Sequence, residues 1–135
     1  MSLEPMRILV IEDDPIDFSL VKKGFEVVDT PVELFHCPSA DRVIEMLEAR
    51  ACRIVLLDLS LGRDTGMDVL RTIRADQRFA TLPVIVLSSS ANHRDIAEGY
   101  AAGANAYVEK PLTMELYRRF ARAFVAFWVD VAQVG

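Results

Sequence analysis

The chain reads as one α/β domain in which a five-stranded parallel sheet is wound on both faces by helices, in the order (βα)5. Two observations predict this. Short apolar runs alternate with longer stretches of helical period: Ile8-Leu9-Val10-Ile11, Ile54-Val55-Leu56-Leu57, Val84-Ile85-Val86-Leu87 and Ala106-Tyr107-Val108. That alternation is the signature of βα units stacked in layers. The second observation is size. At 135 residues and 52% hydrophobic content the chain can bury one core, and no linker, repeat or low-complexity segment marks a second domain.

The elements follow in order. Residues 7–12 form the first strand, and Asp14-Pro15 supplies an N-cap with proline at the first helical position. The helix expected over 15–28 places Phe18, Val21, Phe25 and Val28 at three- and four-residue spacing. Residues 32–37 are a second strand. Ser39 is expected to cap a helix to 49, buried through Val43, Ile44 and Leu47. Residues 53–59 have the nearly continuous apolar interior of a strand covered on both faces. A loop over 61–66 leads to a helix over 67–75, with Val69, Leu70 and Ile73 inward. Residues 82–88 are the fourth strand, 95–102 a short helix closed by Gly103, and 106–109 the last strand. Thr113 then caps an extended final helix over about 113–131.

In such a sheet every strand ending lies along one edge, and ligands of open α/β sheets bind there. The endings are Glu12-Asp13-Asp14, Asp58, Ser88-Ser89-Ser90 and Glu109-Lys110-Pro111. Two unit charges about 4 Å apart repel by roughly 4 kcal/mol at an effective dielectric of about 20. Carboxylates of Glu12, Asp13 and Asp58 gathered on one edge therefore call for a cation, and hard oxygen ligands in small number point to Mg²⁺. Asp14 is read instead as the helix cap. An aspartate that ends an apolar run needs a partner, and Lys110 can supply it. With Ser88 as hydroxyl donor the set suits phosphoryl transfer, with Asp58 as the carboxylate nucleophile.

These residues resemble a response-regulator receiver domain over nearly the full chain. The likeness rests on Glu12-Asp13, Asp58 with Gly66 eight positions on, Ser88, Tyr107 and Lys110-Pro111 in that order and spacing. The resemblance implies a flavodoxin-like receiver fold, with Asp58 phosphorylated by a partner histidine kinase. It further implies Mg²⁺ held by Glu12, Asp13, Asp58 and the backbone carbonyl of Ser60. Ser88 would turn toward the phosphoryl group and Tyr107 follow it inward, altering the surface of the fourth helix, last strand and fifth helix. A cis Lys110-Pro111 bond is also implied, against a base rate of about 5–6% for X–Pro bonds. The chain departs from the common pattern at Gly62, where proline is frequent, and at Ser88, where threonine is commoner. Ser60 and Ser90 occupy the variable positions that flank the phosphoryl site.

The final helix carries an apolar stripe of Leu116, Phe120, Phe124, Phe127 and Val131, widened by Tyr117 and Trp128. Its second half is more aromatic than docking on one sheet requires. Phe124, Phe127, Trp128 and Val131 are therefore expected to form a twofold homodimer interface. The Glu12-Asp13-Asp14-Pro15-Ile16-Asp17 opening and the Phe127-Trp128 ending resemble single-domain regulators that partner bacterial phytochrome kinases.

Other classes fit poorly. A net charge of −5 argues against DNA as the partner. Cys37 and Cys52 lack metal-ligand spacing and read as reduced thiols of a cytoplasmic protein, and a His36-Cys37 pair offers too few ligands. Neither a signal peptide nor an apolar segment of about 18–20 residues is present, so no membrane role is expected. A Mg²⁺-dependent phosphohydrolase would want an acid/base aspartate where Ser60 stands, and a flavodoxin-like binding module would want a Gly-rich phosphate loop. The expectation is a single receiver domain over 1–135 with no output domain, acting by self-catalysed aspartyl phosphorylation rather than metabolite turnover.

Overall fold

A computed structural model describes residues 4–59 and 63–132. Five strands, β1 (Met6–Ile11), β2 (Val32–Cys37), β3 (Ile54–Asp58), β4 (Val84–Ser88) and β5 (Ala106–Glu109), form one parallel sheet in the order β2-β1-β3-β4-β5. Five α-helices connect and cover it: α1 (Pro15–Phe25), α2 (Val43–Arg50), α3 (Arg63–Ala75), α4 (His93–Ala101) and α5 (Met114–Phe124). The doubly wound α/β fold read from the sequence is the one observed.

Side chains alternate across a strand, so each central strand feeds two cores. Ile8, Val10, Ile54, Leu56 and Ile85 pack under α1 and α5 against Val21, Phe25, Tyr117, Ala121 and Phe124. Leu9, Ile11, Val55, Leu57, Val84 and Val86 pack on the other face against Val43, Leu47, Met67, Leu70 and Ile73. Every residue of β3 and β4 is buried, which explains their unbroken apolar runs. Helices α1 and α5 approach closely at Gly24, where an added Cβ would stand 2.8 Å from the Tyr117 carbonyl oxygen. Cys37 and Cys52 are buried free thiols, and burial pushes the Cys52 thiol up to about 11.

Most element boundaries fall within one or two residues of the sequence reading, and four larger departures each have a local reason. The α1 helix stops at Phe25 rather than 28, and the Val28 N–H instead closes a turn on the Phe25 carbonyl. Ser39 does not cap a helix; its hydroxyl bonds Asp41, and residues Ala40–Arg42 form a 3₁₀ turn before α2. The α3 helix begins at Arg63, within the expected loop. Gly66 therefore lies in its first turns, where an added Cβ would overlap the Leu59 side chain at 2.3 Å.

The fourth difference concerns the chain end. After Phe124 the helix continues as a π-helix, Val125–Val129. The Asp130 N–H reaches back to the Val125 carbonyl at 3.0 Å, and the Ala132 N–H to the Phe127 carbonyl at 2.7 Å. The wider turn rotates the stripe. Phe124 and Val125 go into the core, while Phe127 is 54% and Val131 67% exposed. Phe124 is thus removed from the expected dimer interface, because it packs edge-on against Phe25 at a centroid distance of 5.5 Å. A further correction is that the Lys110–Pro111 bond is trans, the isomer that X–Pro bonds ordinarily prefer by about 0.5–1 kcal/mol.

Candidate functional site

The parallel register brings the strand endings together. Asp58 stands opposite Leu87, Ser88 opposite Glu109, and the Lys110 N–H donates to the Ser88 carbonyl at 2.7 Å. Glu12 and Asp58 are almost fully buried, at 0% and 2% exposure, and Ser88 is buried beside them. Buried carboxylates at the end of apolar strands require polar partners, and the structure supplies them.

Lys110 bridges two acids. Its Nζ lies 3.0 Å from Asp58 Oδ2 and donates to Asp17 Oδ2 at 2.9 Å, with its own side chain only 15% exposed. Burial alone would lower the ammonium's pKa. The hydrogen bonds and negative charges of Asp17 and Asp58 outweigh it and raise Lys110 well above the ordinary lysine range. Lys110 therefore stays charged at any physiological pH.

Glu12, Asp17 and Asp58 offer carboxylate oxygens within 4.8 Å of one another. Three carboxylates and one ammonium leave a formal charge of −2 at the sheet edge. Hard oxygen donors carrying that charge fit a small divalent cation such as Mg²⁺. The Glu12 carboxylate is also anchored locally, accepting from the Asp14 N–H at 2.9 Å. His36 Nε2 lies 2.6 Å from the Glu12 carbonyl oxygen and its ring stacks on Phe18, so His36 braces the β1 ending from β2.

The sequence-predicted residues are distributed as follows. Glu12, Asp58, Ser88 and Lys110 are brought together. Asp14 takes the capping role, accepting from the Ile16 N–H at 2.8 Å. Asp13 is exposed and lies outside the carboxylate group. Ser60 and Gly62 lie outside the described residues. Asp17 was missed as a site residue, although its position carries a signal. It lies three residues beyond the cap, and side chains in the first turn lean back toward the helix N-terminus, here toward the sheet edge.

Ser90, which the sequence places at a position flanking the site, ties that site to its surroundings. Its N–H donates to Ser88 Oγ at 3.1 Å, and its hydroxyl donates to Asp95 Oδ2 at 2.7 Å. Its carbonyl accepts the Tyr107 hydroxyl at 2.9 Å. Ser88 Oγ thus serves the backbone as an acceptor, a role that does not use its own proton. Tyr107 is half-buried against Gly99, where an added Cβ would come within 2.9 Å of its ring. The Tyr107 N–H donates to the Tyr100 hydroxyl at 3.1 Å, which covers part of the edge of β5.

Comparison with known proteins identifies the family and the fold. The response regulator receiver domain model matches residues 8–120. The chemotaxis protein CheY of Pseudomonas aeruginosa is 29% identical over 116 residues, covering 84% of this chain and 90% of that protein. The response regulator RPA3017, from red light signalling of R. palustris, superposes with a TM-score of 0.86 at 28% identity, covering 98% of this chain and 99% of that one. The phosphorylated cyanobacterial phytochrome response regulator RcpA superposes with a TM-score of 0.85 at 26% identity, covering 97% and 99%. With the family match spanning most of its length, the chain belongs to the response regulator receiver domain family of two-component signalling, whose members take phosphoryl groups from histidine kinases and are not metabolic enzymes.

Proposed function

We propose that Asp58 accepts the phosphoryl group, that Lys110 and Ser88 assist the transfer, and that the chain catalyses both this step and its reversal by water. The observation that carries the reading is the buried Asp58 carboxylate held 3.0 Å from a half-enclosed ammonium, at the edge where the sheet's polar endings converge. In the transfer, an Asp58 carboxylate oxygen attacks the phosphorus of phosphohistidine. The new O–P bond forms as the N–P bond breaks, and the imidazole leaves with its electron pair and takes up a proton. Lys110 offsets charge on the phosphoryl oxygens, and the Ser88 hydroxyl donates to one of them. Mg²⁺, when bound, supplies charge neutralisation at the same oxygens. Glu12 and Asp58 are its proposed ligands within the cluster, with Asp13 from the solvent side and the Ser60 carbonyl completing the set.

Incubation with acetyl phosphate and Mg²⁺ tests this directly. Intact mass should show one phosphoryl adduct, mapped to Asp58, that is absent from Asp58→Asn and suppressed by EDTA. An adduct that persists in Asp58→Asn would remove the reading.

The output surface is proposed to be α4, β5 and α5. Tyr107 connects to the site through Ser90, and an apolar groove lined by Val108, Pro111, Leu112, Leu116 and Phe120 starts at Lys110. Two partner assignments are proposed. The likeness to RcpA and RPA3017 supports a bacterial phytochrome as the kinase. The exposed Phe127 and Val131 support a homodimer, with Phe127 edge-on at 5.0 Å to Trp128, whose ring is itself partly buried against the α1–α5 core. Sedimentation should give a dimer for the wild type and a monomer for Phe127→Glu; equal masses would exclude this interface. Phosphotransfer from a purified phytochrome kinase no faster than from an unrelated kinase would exclude the kinase assignment. Among the described residues no helix is long and apolar enough to cross a membrane.

A further inference from the structure

The residue that the site holds beyond its expected members is Asp17. It comes from the first turn of α1, and its carboxylate is 24% exposed, close to the lysine but at the rim of the cluster. Lys110 is shared between Asp17 at 2.9 Å and Asp58 at 3.0 Å, a clamp with one cation between two anions. A lysine side chain has four rotatable bonds and a compact, freely rotating ammonium, so one anchor leaves it poorly oriented.

The second anchor matters because the first one changes during the reaction. Once Asp58 becomes an acyl phosphate, one of its oxygens is esterified and the carboxylate charge is lost from that group. The charge moves outward to the phosphoryl oxygens. Asp17 is not altered by the transfer and keeps holding Lys110. We infer that Asp17 is a positioning residue that fixes the Lys110 ammonium across the Asp58 site before and after phosphorylation, an inference that rests on Asp58 being the phosphoacceptor.

An alternative geometry is contained in the same cluster. Asp17 also lies within 4.8 Å of the Glu12 and Asp58 oxygens, so it could instead serve as a ligand to the cation. The two roles make opposite demands. A positioning residue acts through Lys110 and leaves cation affinity nearly unchanged. A ligand acts through the cation and is indifferent to Lys110.

The experiment uses the full chain with Asp17→Asn, Asp17→Glu, Lys110→Ala and the double variant Asp17→Asn/Lys110→Ala. Rates of adduct formation from acetyl phosphate are measured at saturating Mg²⁺, and Mg²⁺ affinity is measured calorimetrically without any phosphodonor. Asp17→Asn should slow phosphorylation about tenfold, the equivalent of one charge-assisted hydrogen bond lost. Asp17→Glu should recover much of that rate. In the Lys110→Ala background the Asp17→Asn change should add less than about twofold, since residues acting as one unit are not additive. Mg²⁺ affinity should shift by no more than about threefold, well short of the 10–100-fold typical of disturbed metal sites. Equal slowing with and without Lys110, or a rate in Asp17→Asn equal to that of the wild type, overturns the inference. A tenfold or greater loss of Mg²⁺ affinity does so as well and makes Asp17 a ligand. If the wild type itself takes up no phosphoryl group on Asp58, the underlying reading fails instead.

Discussion

Arg74→Met is expected to lower the stability of the folded chain by about 2–3 kcal/mol, because it removes a set of charge-assisted bonds to partly buried backbone. Arg74 lies in the last turn of α3. Its Nε and Nη2 donate to the Gly103 carbonyl at 2.9 and 2.7 Å, and Nη1 donates to the Leu82 and Phe79 carbonyls at 2.6 and 3.1 Å. Nη2 also reaches Asn105 Oδ1 at 2.7 Å, and that same oxygen accepts from the Val84 N–H. One guanidinium thus ties α3 to the entry of β4 and to the turn between α4 and β5. The turn depends on Gly103 at φ +113°, where any Cβ would strike the Arg74 side chain at 2.7 Å. Methionine fills the space of the stem but removes the guanidinium donors from the Gly103 and Leu82 carbonyls, while the Phe79 carbonyl keeps the Leu82 N–H. Lysine should rescue little, since a point charge cannot reproduce the fork.

Urea unfolding measures the loss, with Arg71→Met as the control. Arg71 is one turn earlier and largely exposed, with a single surface pair to Asp68 at 3.3 Å. Such pairs contribute about 0–1 kcal/mol. If the two variants lose equal stability, the network is not holding the β4–β5 side of the sheet together.

Arg74 also shows where sequence reading stops. Strands β3 and β4 and the Ile8–Ile11 stretch of β1 were legible because burial on both faces demands apolar residues at every position. The polar residue ending each run was legible for the same reason, since it breaks a pattern. Arg74 breaks nothing. Its partners are backbone carbonyls, which every residue carries, so no residue type marks them. The start of α3 was hidden by Gly66, which reads as a loop residue until Leu59 is seen pressing on it. The π-turn was hidden because a 3.6-residue period places Phe124 and Phe127 on one face, and only the i+5 bonds at Val125 and Phe127 separate them. At the site, Glu12, Asp58, Ser88 and Lys110 were found from their place at strand ends. Asp17 sits inside a helix, among residues whose charge is ordinarily explained by solvent. Its role depends on the direction of a side chain rather than on its place in the pattern.

Lys110→Met is expected to have two effects with one cause. Phosphorylation by acetyl phosphate should slow by about 10²–10³-fold, the usual cost of removing one preorganised group that stabilises developing charge. The folded state should also lose about 3 kcal/mol at neutral pH without Mg²⁺, because taking one partner from a buried ion pair leaves the other charges in low dielectric. Asp58 is 3% and Asp17 24% exposed at the side chain, so Asp58 bears most of this penalty. Removing the ammonium turns the formal charge of the Glu12, Asp17 and Asp58 group from −2 to −3. A divalent cation that binds only the folded cluster stabilises it in proportion to the logarithm of its concentration. Millimolar Mg²⁺ should therefore raise the melting temperature of Lys110→Met more than that of the wild type, while restoring none of the lost rate. That separation is diagnostic. A cation can replace the charge of Lys110, but it brings none of the N–H donors that the ammonium holds between Asp17 and Asp58. Thermal melts with and without Mg²⁺, beside adduct rates at saturating Mg²⁺, test both halves. A variant that phosphorylates at the wild-type rate would show that Lys110 is held in the site only to balance its charge.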